Sequence, residues 1–102
     1  MAIEIEWSET AIASFLEAVE YIARDSPSYA ASLALQAERA AASLDLFPNR
    51  GRRVTEYRDE SVRELFVGSY RLIYRASATR INIVAFVHKA RDLARLIQDN
   101  QE

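Results

Sequence analysis

The chain has 102 residues, half of them hydrophobic, with two Gly, two Pro and a formal net charge of −2. That length suits one domain over residues 1–102, burying about two-thirds of its unfolded surface, and the composition excludes a disordered chain. The lack of Cys excludes disulfides and thiolate metal sites, and a single His excludes a multi-histidine site within one chain.

No apolar run is long enough to span a bilayer, and no basic-then-apolar segment opens the chain, so the expectation is a cytoplasmic protein without membrane contact. The charge is divided. Up to Asn49 two basic residues face eight acidic ones; from Arg50 onward eleven basic residues, ten of them Arg, face seven acidic ones. An Arg-rich half can meet phosphates or carboxylates, whereas the overall acidity disfavours a tight grip on nucleic acid.

Ile3-Glu4-Ile5-Glu6-Trp7 alternates apolar and polar residues, as a half-buried strand does. Ser8 suits a helix N-cap, with Glu9 in the first turn, and Ile12, Phe15, Leu16, Val19, Ile22 and Ala23 recur at helical spacing to about Arg24. Ser26-Pro27 starts a second helix, with Leu33, Ala37, Ala40, Leu44 and Phe47 on one stripe and many Ala residues that permit close approach. So short a loop between them implies an antiparallel helical hairpin.

Pro48 stops the helix, and Gly51 suggests a positive-φ turn. A β-meander follows over roughly Arg53–Tyr57, Val62–Val67, Tyr70–Ser77 and Arg80–Val87. Gly68-Ser69 reads as a two-residue hairpin with Gly first in a type II′ turn, and Ala78-Thr79 as the next turn. The last strand is apolar on both faces, Ile81, Ile83, Ala85 and Val87 against Val84 and Phe86, and should be interior. Ala90, Leu93, Leu96 and Ile97 mark a short C-terminal helix over Ala90–Gln98 that must dock to be stable. The fold class is α+β, an N-terminal strand, an antiparallel helical hairpin, then an antiparallel meander and a short helix.

No nucleophile–base spacing, Gly-rich phosphate loop, HExxH or GxSxG is present. The charged groups of the sheet remain. Arg71, Ile73 and Arg75 share one face of their strand, and Glu64 can pair with Arg71 or Arg75 across the hairpin. On that reading Arg71 is a paired sheet arginine, His88 anchors the last helix, and Arg50–Arg53 is a solvated turn.

Phe47-Pro48 with Gly51-Arg52, then Arg63-Glu64-Leu65, Val67-Gly68, Tyr70-Arg71 and Ile73-Tyr74, then His88 with Arg91-Asp92, form an ordered set, and Trp7 closes the first strand. Over nearly the whole chain this set resembles the ParE branch of the ParE/RelE toxin superfamily. The resemblance implies the toxin half of a type II toxin–antitoxin pair, which binds DNA gyrase, traps its cleaved-DNA intermediate and needs no cofactor or chemistry of its own. It also implies an antitoxin whose disordered segment folds on the toxin. A homodimer and a toxin–antitoxin hetero-oligomer are both compatible with it.

Apolar residues off the main stripe, Leu35, Ala42 and Leu46 beside Leu33, point to that partner lying along the hairpin and reaching Arg53 and Arg63. Lys89, Arg91 and Arg95, facing outward from the last segment and away from the acidic hairpin, are the expected contacts to gyrase or gyrase-bound DNA. The RelE branch offers the alternative of a ribosome-dependent mRNA endoribonuclease. By position its roles fall to Glu56 as base, Arg71 as charge stabiliser and His88 as acid. Lys89 stands after His88 where those enzymes carry an aromatic residue. A third reading is an inactive relative that only binds its antitoxin.

Overall fold

In the computed structural model, which describes residues 3–95, the elements run β1 (Glu4–Trp7), α1 (Glu9–Ala23), α2 (Pro27–Ala42), a 3-10 turn (Ser43–Asp45), β2 (Arg52–Arg53), β3 (Val62–Val67), β4 (Tyr70–Ala76) and β5 (Arg80–His88). The α+β class and the helical hairpin are as the sequence implies. No helix among the described residues is long and apolar enough to cross a membrane.

Local chemistry sets the helix ends. Ser8 Oγ accepts the Ala11 N–H at 3.0 Å, and Ser26 Oγ accepts the Tyr29 N–H at 3.2 Å with Pro27 opening α2. Ala11, Phe15, Ala18 and Ile22 meet the sheet, so α1 approaches it on small residues, and α2 brings Leu33, Ala37 and Ala41. Ile12 and Leu16, expected in that stripe, are 44% and 53% exposed. Phe47 likewise leaves the α2 stripe for solvent. The apolar circumference of the hairpin is wider than the sheet can cover.

The sheet order is β1-β5-β4-β3-β2. β5 is interior, as expected. β1 runs parallel to β5, so the sheet is mixed, while the other pairings are antiparallel. Val67 pairs with Tyr70 across Gly68-Ser69. Gly68 has φ 57°, the one positive φ among the described residues, which fits type II′ and excludes type I′.

Three sequence expectations change. The strand expected over Arg53–Tyr57 ends at Arg53, because Val54 turns inward to pack with Val62 and the chain closes a turn through the Tyr57 N–H to the Val54 carbonyl. Gly51 does not need positive φ. A Cβ there would sit 2.7 Å from the Glu64 carbonyl oxygen and 2.7 Å from the Tyr74 hydroxyl, so close approach is what demands glycine. In β5 the pairing steps from Ile73↔Ala85 to Tyr74↔Ile83, making Val84 a bulge residue. Ile81, Ile83 and Phe86 therefore face the helices, and Ala85 and Val87 face the other way.

That second face carries its own small core of Val54, Val62, Ile73, Val87 and Leu93. Of the expected C-terminal stripe, Leu93 docks there. The C-terminal helix begins at Leu93, with Asp92 Oδ1 accepting the Arg95 N–H at 3.2 Å, later than the expected start at Ala90, which is exposed. The expected stripe residues Leu96 and Ile97 lie outside the described residues.

Candidate functional site

Parity along β3 and β4 places Glu64 and Arg71 together on the face away from the helices, where Phe66 pairs with Arg71 and Glu64 with Ile73. Arg71 is 7% exposed and Glu64 2%. The Arg71 Nε donates to Glu64 Oε1, and Arg52 Nε donates to Glu64 Oε2 at 2.9 Å. The two terminal nitrogens of Arg71 donate to both oxygens of Glu56, at 3.0 and 3.1 Å. Two guanidinium groups and two carboxylates thus close a neutral quartet, and among the described residues no buried side-chain polar atom lacks a partner.

The electrostatics follow from this geometry. Hydrogen bonds from Arg71 hold the Glu56 carboxyl down from 4.5 to about 2, against the opposing effect of burial. The Arg71 guanidinium is raised still further by Glu56 first and then Glu64. A carboxylate held so low makes a weak general base at neutral pH. A phosphate could reach the Arg71 fork only by displacing Glu56.

Glu56 and Arg71, expected together on the nuclease reading, do meet. His88 does not join them. It follows Phe86 on the helix face of β5, pairs across from Tyr70, and sets its ring edge against Tyr70 at 5.3 Å, while its Nδ1 accepts the Ala90 N–H. The sheet separates the acid candidate from the base candidate.

Beside the quartet, Phe66 is 47% exposed with the Arg52 guanidinium 4.5 Å and the Lys89 ammonium 5.3 Å from its ring centre. Sequence reasoning missed this cluster. Its signal was the exposed parity of Phe66, the one large apolar residue on the quartet side of β3 next to the hairpin turn.

The expected antitoxin surface divides. Leu33 is a core residue, 1% exposed, packed under Gly68, and it leaves that set because the main stripe of α2 faces the sheet. Leu35 and Leu46 are exposed, at 46% and 75%, as is Ala42. On α1, Ile12 and Leu16 are exposed as well. Arg53 is exposed 3.7 Å from Glu60, whereas Arg63 donates to the Gly51 carbonyl at 2.9 Å and braces the turn. Tyr74 braces it too, its hydroxyl accepting the Gly51 N–H and donating to the Pro48 carbonyl.

Lys89, Arg91 and Arg95 are all exposed, but they do not share one patch facing away from the hairpin. Lys89 lies over Phe66, and Arg91 lines a cleft to which α1 contributes Glu17 and Glu20. The turn after His88 swings the chain back along β5 and directs the two side chains differently.

A family model described as ParE toxin of the type II toxin–antitoxin system parDE matches residues 5–93. No curated protein matches the chain in sequence. Among solved structures, the chromosomal ParDE toxin–antitoxin system of P. aeruginosa superposes with TM-score 0.67 at 17% identity, over 84% of this chain and 95% of that one. The YoeB dimer of Staphylococcus aureus gives 0.58 at 14% identity, over 84% and 95%. The RelBE2 toxin–antitoxin complex of Mycobacterium tuberculosis gives 0.58 at 21% identity, over 89% and 95%. At such identities the superpositions establish a shared fold, and the function of each neighbour stays its own.

Proposed function

The chain belongs to the ParE toxin family of type II toxin–antitoxin systems, and from that premise we propose that it acts in the cytoplasm by binding DNA gyrase and blocking replication. On this reading no bond is made or broken by its own side chains. The observation that carries the reading is the separation of the candidate catalytic groups. Glu56 and Arg71 neutralise each other on one face of the sheet, and His88 stands on the other. Binding, not proton transfer, suits such a surface.

The partner that restrains it is an antitoxin, in keeping with the paired systems among the structural neighbours. Its seat is the outer side of the helical hairpin, where Ile12, Leu16, Leu35 and Leu46 stand exposed. Exposed apolar side chains on and beside helices are the usual anchors for a segment that folds on binding.

The deciding experiment sets two assays side by side. Purified protein is added to gyrase with relaxed plasmid, and to a translating extract whose messages are mapped for breaks. Inhibited supercoiling with intact messages supports the reading. Cleaved messages with unimpaired gyrase would hand the chain to the endoribonuclease alternative, and neither effect would leave only antitoxin binding.

A further inference from the structure

β1 is too short to cover β5. Its last pair is Trp7↔Ile83, where the Ser8 N–H closes on the Ile83 carbonyl and the chain leaves the sheet as α1. Beyond the Val84 bulge, β5 runs on to His88 with no strand among the described residues on that side. The ladder phase is fixed by the Lys89 N–H donating to the Ser69 carbonyl, which sets Val87↔Arg71 and Ala85↔Ile73 as the pairs bonded toward β4. The backbone groups of Phe86 and His88 therefore point outward. The His88 carbonyl takes the Arg91 N–H, and among the described residues the Phe86 N–H and carbonyl and the His88 N–H have no backbone partner.

This edge is not a flat surface. It forms the floor of a cleft of about 430 Å³, within the range of small ligand sites. Ser14, Glu17, Ala18 and Tyr21 of α1 line it from the helix side, and Tyr57 and Leu93, from the second apolar core, line it from the other. A strand laid along such an edge sends alternate side chains to the two walls. The α1 wall carries Glu17 and Glu20 with Arg24, and the opposite wall is apolar at Tyr57 and Leu93 with Arg91 beside them, so the negative charge is confined to the α1 side.

We infer that this cleft receives an extended segment of another protein as an added strand on β5, with basic side chains toward Glu17 and Glu20 and apolar ones toward Tyr57 and Leu93. The carboxylates select for positive charge and fix the register, and the free backbone groups of Phe86 and His88 supply the hydrogen bonds. This inference concerns a surface separate from the outer side of the hairpin and does not depend on the identity of the toxin's target.

The probe is a capped synthetic hexapeptide of alternating Lys and Val, titrated into the full-length protein and followed by amide NMR shifts and hydrogen exchange. The expected result is a shift and slowed exchange at the Phe86 and His88 amides. Methylating the peptide nitrogens on the bonding edge should abolish binding, which separates a strand from simple charge attraction. Glu17→Lys with Glu20→Lys, both at exposed positions, should weaken the Lys-Val peptide about tenfold or more and admit its Glu-Val counterpart. Binding that ignores backbone methylation, shifts confined to another surface, no binding up to ~1 mM, or a protein already dimerised through this edge would each overturn the inference.

Discussion

Replacing Arg71 by Met tests whether the quartet holds the fold together or serves the target. The Arg71 side chain is 9% exposed and that of Glu64 1%, whereas Arg52, the other cation on Glu64, is 66% exposed. Without Arg71 a carboxylate stays buried with one partner that is mostly in water. Losing one member of a buried pair costs ~3–5 kcal/mol. A domain of this size has ~5–15 kcal/mol of stability, and each kcal/mol moves its midpoint by ~4–8 °C. Thermal unfolding followed by circular dichroism should therefore show Arg71→Met melting ~12–40 °C below the parent. Adding Glu64→Gln removes the stranded charge and should recover about half of that loss. Growth inhibition, scored at a temperature where both proteins are folded, should persist in the double variant. A single variant that melts within a few degrees of the parent yet loses toxicity would refute the reasoning, because Arg71 would then be acting on something outside the chain.

Gly51→Ala should destabilise by ~1–3 kcal/mol in urea titration, since the new Cβ meets the Glu64 backbone carbonyl at 2.7 Å and that atom cannot move aside; a neutral or stabilising result would mean the turn is looser than described. Glu56→Gln should cost stability at neutral pH. Each pKa unit is worth about 1.4 kcal/mol, so holding the carboxyl near 2 in place of 4.5 sets a ceiling of ~3 kcal/mol. With about a quarter of the side chain open to water, ~1–2 kcal/mol is the working figure. Because the folded-state pKa is depressed, that contribution is complete above pH 4.5 and fades as pH falls through about 2. The two melting curves should converge over that window, and a gap independent of pH would exclude the charge as its source. Lys89→Glu with Arg95→Glu should weaken gyrase inhibition and spare the antitoxin complex on gel filtration; unchanged inhibition would remove these cations from the target surface.

The elements that the sequence made legible are those whose signals are local. Ser8 and Ser26-Pro27 announce the helix starts, Gly68-Ser69 the hairpin, and the capping side chains do what their positions imply. What was hidden depends on distant partners. The need for glycine at position 51 comes from Tyr74, 23 residues away, whose hydroxyl occupies the space a Cβ would take. Glu64 could be paired with Arg71 from hairpin parity alone, but Glu56 arrives on a connection whose path no periodicity describes. Ile12 and Leu16 fit the helical stripe of α1 as well as Ala11 and Ala18 do. Only the close approach of helix to sheet decides that the small residues face inward.

The fate of His88 turns on a single residue. In an unbroken strand from Ile81, the odd positions would share the helix face, and His88 would fall on the side of Arg71 and Glu56. Val84, as the extra residue of the bulge, reverses the parity from there on. The reversal has a packing reason. It buries Phe86 to 2% against Phe15 and Tyr70, with ring centres 5.3 and 5.0 Å away, and leaves Ala85 and Val87 to the smaller core. An unbroken strand would send Phe86 to the side already filled by Val87 and Leu93 and leave its place under α1 empty. Such a void costs a large aromatic residue's worth of core stability, ~3–5 kcal/mol. The arrangement that best fills the core is thus the one that holds His88 away from the Arg71 quartet, and it does so without any charged residue having to change.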